Sequence, residues 1–86
     1  MSNEKVIRNF LKHQDGHTPK RRTLDGDTVS TLWTRENELI NYRTVIAKWE
    51  GNTIKLNTKK YSNTTSKIQN MIERVCEEYG IEIEAM

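Results

Sequence analysis

The chain has 86 residues, 34% of them hydrophobic and 30% charged, with a formal net charge of +2. That length allows one small domain with a thin core, and no apolar run approaches the roughly eighteen residues of a membrane helix. One cysteine, Cys76, excludes an internal disulfide, and the N-terminus lacks a secretory pattern, so the cytoplasm is the expected compartment.

Val6, Ile7, Phe10 and Leu11 fall on one stripe of a helix over Ser2–Gln14, capped by Ser2 or Asn3 and stopped by Asp15-Gly16. Residues 15–27 hold the only proline and the run Lys20-Arg21-Arg22, which reads as an exposed basic connector closed by an Asp25-Gly26-Asp27 turn. From Thr28 the composition turns β-like. Thr28–Thr34 is one strand, Arg35–Glu38 a turn, and Leu39–Glu50 a long second strand.

Gly51-Asn52 suits a two-residue hairpin turn, which sets Glu50 opposite Thr53, Trp49 opposite Ile54 and Ala47 opposite Leu56. Alternation then assigns Val45, Ala47, Trp49, Ile54 and Leu56 to the core face. Thr44, Ile46, Lys48, Thr53, Lys55 and Asn57 go to the other.

Ile68, Met71, Ile72, Val75, Cys76 and Tyr79 form the apolar stripe of a C-terminal helix stopped at Gly80. Its start is set either by Ser62 or by a capping box at Ser66–Gln69. Tyr61 is expected to pack, and Ile81–Glu84 alternates as a further short strand would. The expected fold is α+β: one domain over 1–86, with helix and basic connector in 1–27 and a βββα core in 28–86. A three-stranded antiparallel meander packs one face on the C-terminal helix.

No phosphate loop, dinucleotide fingerprint, nucleophile elbow or zinc-hydrolase motif is present, so no enzyme, cofactor or metal is expected. His13, Asp15 and His17 lack a third strong ligand, and Cys76 on the apolar stripe reads as an inert buried thiol.

Charge is more informative. Residues 1–67 carry thirteen basic against seven acidic residues, or +6, whereas residues 68–86 carry one against five, or −4. Lysines and hydroxyls crowd the entrance to the last helix at Lys59, Lys60, Thr64, Thr65 and Lys67, and a helix N-terminus offers free N–H donors to phosphate. Lys20, Arg21, Arg22, Lys48 and Lys55 complete the candidate nucleic-acid or anion contacts. Trp33 and Tyr42 are candidate interface anchors.

Asn41-Tyr42-Arg43-Thr44-Val45-Ile46-Ala47, followed by Asn57-Thr58-Lys59-Lys60-Tyr61-Ser62-Asn63-Thr64-Thr65-Ser66-Lys67-Ile68-Gln69, resembles an uncharacterised family of small phage- and mobile-element-encoded domains. That family shows a Tyr-x-Thr-x-Ile-Ala strand and then Thr-Lys-Tyr-Ser-x-Thr-Thr-Ser-Lys-His-Gln. This chain has an extra lysine and Ile68 in place of the histidine. The resemblance implies a phage or prophage origin, hence a bacterial host, and no known activity.

Three strands and a C-terminal helix also look like the sheet-type DNA-binding domains of some transposon integrases. The expected function is a non-enzymatic nucleic-acid-binding accessory protein. The alternative is a small protein-binding inhibitor of a host factor, and a free sheet edge would also permit a homodimer.

Overall fold

The computed structural model describes residues 1–22, 28–59 and 63–86. The Asp25-Gly26-Asp27 turn, the packing of Tyr61, the Ser62 cap and the Lys60 contact lie outside the described residues. The chain runs α1 (Asn3–Leu11), β1 (Lys20–Arg22), β2 (Thr28–Ser30), β3 (Leu32–Arg35), β4 (Glu38–Asn41), β5 (Thr44–Glu50), β6 (Thr53–Leu56), α2 (Asn63–Tyr79) and β7 (Glu82–Ala85).

The α+β class holds, and the three-stranded meander is corrected to a five-stranded mixed sheet in the order β3-β4-β5-β6-β7, with a separate β1–β2 hairpin. The alternating Ile81–Glu84 segment supplies β7, which joins β6 in parallel after the α2 crossover.

Ser2 caps α1, its Oγ accepting from the Lys5 N–H at 3.2 Å, and the whole expected stripe is buried. The helix ends at Leu11 rather than at Asp15-Gly16. His13 adopts a φ of 58° and stacks its ring on Trp49, with centroids 4.4 Å apart.

α2 ends as its glycine predicts. Gly80 has a φ of 71°, its N–H donates to the Glu77 carbonyl, and the Ile81 N–H reaches the Cys76 carbonyl. Its first residue is Asn63, so Ser66 lies inside the helix and the Ser66–Gln69 capping box does not form. α1 and α2 run side by side in one direction, linked by ion pairs from Arg74 to Glu4 at 2.9 Å and from Arg8 to Glu78 at 3.0 Å. Both helices contribute to the single core cluster that includes the inner sheet face.

The Gly51-Asn52 hairpin has the expected register throughout: Glu50 pairs with Thr53, Trp49 with Ile54 and Ala47 with Leu56. The expected Leu39–Glu50 strand is instead two, split at Tyr42-Arg43, where Tyr42 takes a φ of 57°. Few tyrosines occupy that region. Here the Tyr42 N–H donates to the Thr31 carbonyl and its C=O accepts from Trp33 Nε1 at 2.9 Å, so neighbours fix the turn.

A register shift between Leu39 and Ile40 makes a bulge at Ile46: Leu39 pairs with Ala47, but Ile40 pairs with Val45. Ile46 and Ala47 are therefore both buried in the core cluster. Val45, assigned to the core by strict alternation, instead lies in the outer row with Ile40 and Trp33.

The expected exposed connector is also corrected. Gly16 and Thr18 are buried and pair with β3 through Thr34 N to Gly16 O and Thr18 N to Leu32 O. These bonds cover the β3 edge, and Lys20–Arg22 continues as a strand paired with Thr28–Ser30. The expected Thr28–Thr34 strand thus breaks at Thr31, between the hairpin and the main sheet.

Candidate nucleic-acid interface

One end of the sheet gathers three connections. The β4–β5 turn ends there, β6 leaves through Asn57–Lys59 toward α2, and the β1–β2 hairpin departs beyond Thr31. Buried amides hold these together. Asn41 donates to the Thr31 carbonyl and accepts from Thr65 Oγ1 at 2.8 Å. Gln69 Nε2 donates to the carbonyls of Asn57 and Lys59, and Asn57 Oδ1 accepts the Lys59 N–H. Much of the amide- and hydroxyl-rich composition around the helix entrance is thus structural. Thr65 in particular is 5% exposed and faces the sheet, so its side chain is not on the surface where a ligand would meet it.

Around this seam the cations point outward. Arg43, Lys59, Thr64 and Lys67 are all exposed, and the basic strand β1 begins with exposed Lys20. Nothing in the sequence marks Arg43 as a member of this group; only the turn it occupies brings it here. Arg21 and Arg22 belong to the same strand by backbone placement.

The opposite end carries the turns at 36–37 and 51–52 and the α2 C-terminus, with exposed Glu36, Glu50, Glu77, Glu78 and Glu82. Among the described residues only Arg8 joins that carboxylate set by an ion pair, and its pKa is raised, first by the Tyr79 hydroxyl and then by Glu78. Along α2, basic Lys67 follows the first turn, at the positive end of the helix dipole, and Glu77 and Glu78 lie in the last turn, at the negative end. Each of the two carboxylates opposes the helix by about 0.3–1 kcal/mol.

Lys48 and Lys55, the two cations expected on the open sheet face, have different surroundings. They belong to a cross-strand row of Arg35, Glu38, Lys48, Lys55 and Glu84. Arg35 pairs with Glu38 at 3.0 Å, and Lys55 pairs with Glu84, which raises the lysine's pKa. Glu50 and Glu82 lie in the next row with Thr53. This face therefore alternates in sign, unlike the end with Arg43, Lys59 and Lys67.

Trp33 is half-buried on the outer side of β3, with the Arg35 guanidinium 5.8 Å from its ring centroid. It lines a cleft of about 520 Å³ between the β3 edge and the root of the β1–β2 hairpin, along with Lys20, His17, Asp15 and Glu36. Tyr42 sits in the strained β4–β5 turn, 47% exposed, rather than on a strand in phase with Lys48.

Cys76 is fully buried, which pushes its thiol up to about 11 and away from nucleophilic chemistry. Among the described residues, no group of three His, Cys, Asp or Glu side chains could hold a metal ion. No described helix is long and apolar enough to cross a membrane. No protein-family model, curated protein or solved structure matches this chain.

Proposed function

We propose that this protein binds nucleic acid without catalysing a reaction, in keeping with an accessory role in a phage or mobile element. The observation that carries the reading is the segregation of charge. Arg43, Lys59 and Lys67 ring the entrance of α2, and the basic β1 strand leaves from the same end of the sheet. Exposed Glu36, Glu50, Glu77, Glu78 and Glu82 lie at the far end, with Glu73 the exposed carboxylate beside Asn57 and Thr58. Phosphates would meet Lys20, Arg21, Arg22, Arg43, Lys59, Lys60 and Lys67, with the Thr64 hydroxyl as a further donor. Lys48 contributes weakly and Lys55 less, because carboxylates in the same cross-strand row offset them.

Binding to a labelled oligonucleotide across a salt series tests this. The logarithm of the association constant should fall linearly with the logarithm of salt, and the slope should shrink by about 0.7–0.9 for each phosphate-contacting cation removed. Absence of binding at low salt to both a duplex and a single strand would overturn the proposal.

A protein partner is the second reading. It is favoured by Tyr42, whose exposed ring is presented by a backbone conformation that costs energy to hold. A stoichiometric partner that survives nuclease treatment and is lost in Tyr42→Ala would support it.

A further inference from the structure

We infer that the cleft beside β3 is a nucleobase subsite, in which an unpaired base stacks on Trp33 while its phosphate meets Lys20, making the protein selective for single strands. The inference rests on the nucleic-acid reading above and adds which form of nucleic acid is bound and where a base goes.

Trp33 presents a stacking surface already fixed in place. Its one polar atom, Nε1, is used by the Tyr42 carbonyl at 2.9 Å, so the ring offers a ligand only its apolar face. The same bond holds the side-chain rotamer, and the antiparallel bridge between His17 and Trp33 holds the backbone, so little freedom is lost on stacking.

The cleft, at about 520 Å³, has ample room for a base and sugar. Its polar groups suit that occupant. Lys20 is exposed at the hairpin root, where the basic strand begins, and among the described residues no ion pair holds it. Arg35 lies over the indole at 5.8 Å and can flank a stacked base. Asp15 and Glu36 are carboxylates able to accept from exocyclic amines or imino N–H groups, which a phosphate alone does not carry.

A paired base in a duplex keeps its faces stacked on its neighbours and its edge hydrogen-bonded, so it cannot enter. A single strand can direct a base into the cleft while its backbone follows β1 toward the cations at the α2 entrance.

The test uses the full chain with a fluorescein-labelled ten-nucleotide single strand, the matching ten-base-pair duplex and a free mononucleotide. Single-strand binding should be tighter than duplex binding and should weaken roughly tenfold to a hundredfold in Trp33→Leu, which keeps apolar bulk without a ring. Trp33→Phe should retain most of it, and duplex affinity should be nearly unchanged in both.

On the wild-type protein, adding the single strand should shift the indole N–H resonance of Trp33 and leave that of core Trp49 in place, a readout independent of any variant's folding. A free mononucleotide shifting the same resonance at saturation as strongly as the strand, with no gain in affinity from the strand, would reassign the cleft to free nucleotides and overturn the strand proposal. An unmoved Trp33 resonance, or equal losses on single strand and duplex, would also overturn it, while the salt-dependent contribution of Lys59 and Lys67 would stand. Loss of all binding by wild-type protein would remove both readings.

Discussion

The two faces of the main sheet are built from the same strands and obey opposite rules. On the inner face, Leu39, Ile46, Ala47, Ile54 and Leu56 join α1 and α2 in one apolar cluster, and the buried amides there are hydrogen-bonded. On the outer face, apart from the short apolar row of Trp33, Ile40 and Val45, the strands carry charges of both signs, with Arg35 paired to Glu38 and Lys55 to Glu84. Burial makes the inner face intolerant of deletion, whereas the outer face tolerates changes that alter only its field. The cations at the sheet end, Arg43, Lys59 and Lys67, are exposed and lie outside the core, and binding is expected to reside there.

The largest effect should come from breaking the inner face at its bulge. Ile46→Ala should destabilise by about 2–4 kcal/mol, and Val45→Ala by clearly less, in urea unfolding followed by circular dichroism. The reverse order would mean that the strand runs without its bulge.

Reversing charge should separate the sheet end from the sheet face. The pair Lys59→Glu and Lys67→Glu should weaken oligonucleotide binding by roughly a hundredfold at low salt and flatten the salt slope by nearly 2. The same reversal at Lys48 and Lys55 should cost only a fewfold, and equal losses would remove the distinction drawn between them.

The difference in pH dependence between wild type and Cys76→Ala reports on the inner face. Cys76 holds its proton more tightly when folded, up to about 11, than in the unfolded chain. Its contribution is therefore fully present below the unfolded thiol's pKa, near 8.5, and is lost as pH rises toward 11. Over that window wild-type stability should fall more steeply than that of Cys76→Ala, by at most about 1.4 kcal/mol per pH unit. Identical slopes would show that the thiol is not sheltered.

The smallest effect belongs to the outer row. Glu84→Gln should leave the unfolding midpoint almost unmoved and raise nucleic-acid affinity by roughly twofold, because it releases Lys55 from an exposed pair. A large loss of stability would show that this pair supports the β7 edge.

Where a local signal decides the structure, the sequence could be read directly. Gly51-Asn52 leaves one sensible register, Gly80 ends α2, and the stripes of both helices are buried almost as spaced, although Tyr79 is exposed. Three features had no such signal. The bulge at Ile46 adds one residue without a glycine to announce it, and it reverses the faces of Val45 and Ile46. The turn at Tyr42 places a bulky residue at positive φ against its own preference, imposed by Thr31 and Trp33. The strand at Lys20–Arg22 consists of charges that resemble a connector, and its pairing partner lies across a turn-like segment.

The candidate site was legible in composition and not in arrangement. Lysine-rich segments are visible one by one, but only the topology brings Arg43 among them and sets carboxylates beside Lys55.

The adverse charges of α2 have a consequence for encounter. With Lys67 near its start and Glu77 and Glu78 at its end, the side-chain field adds to that of the helix, giving α2 an electric moment whose positive end is its entrance. Near a polyanion this moment exerts a torque that turns the α2 entrance inward before contact, so a greater share of collisions begins in a productive orientation. A strand held at the α2 entrance would then leave the carboxylate end facing away from it.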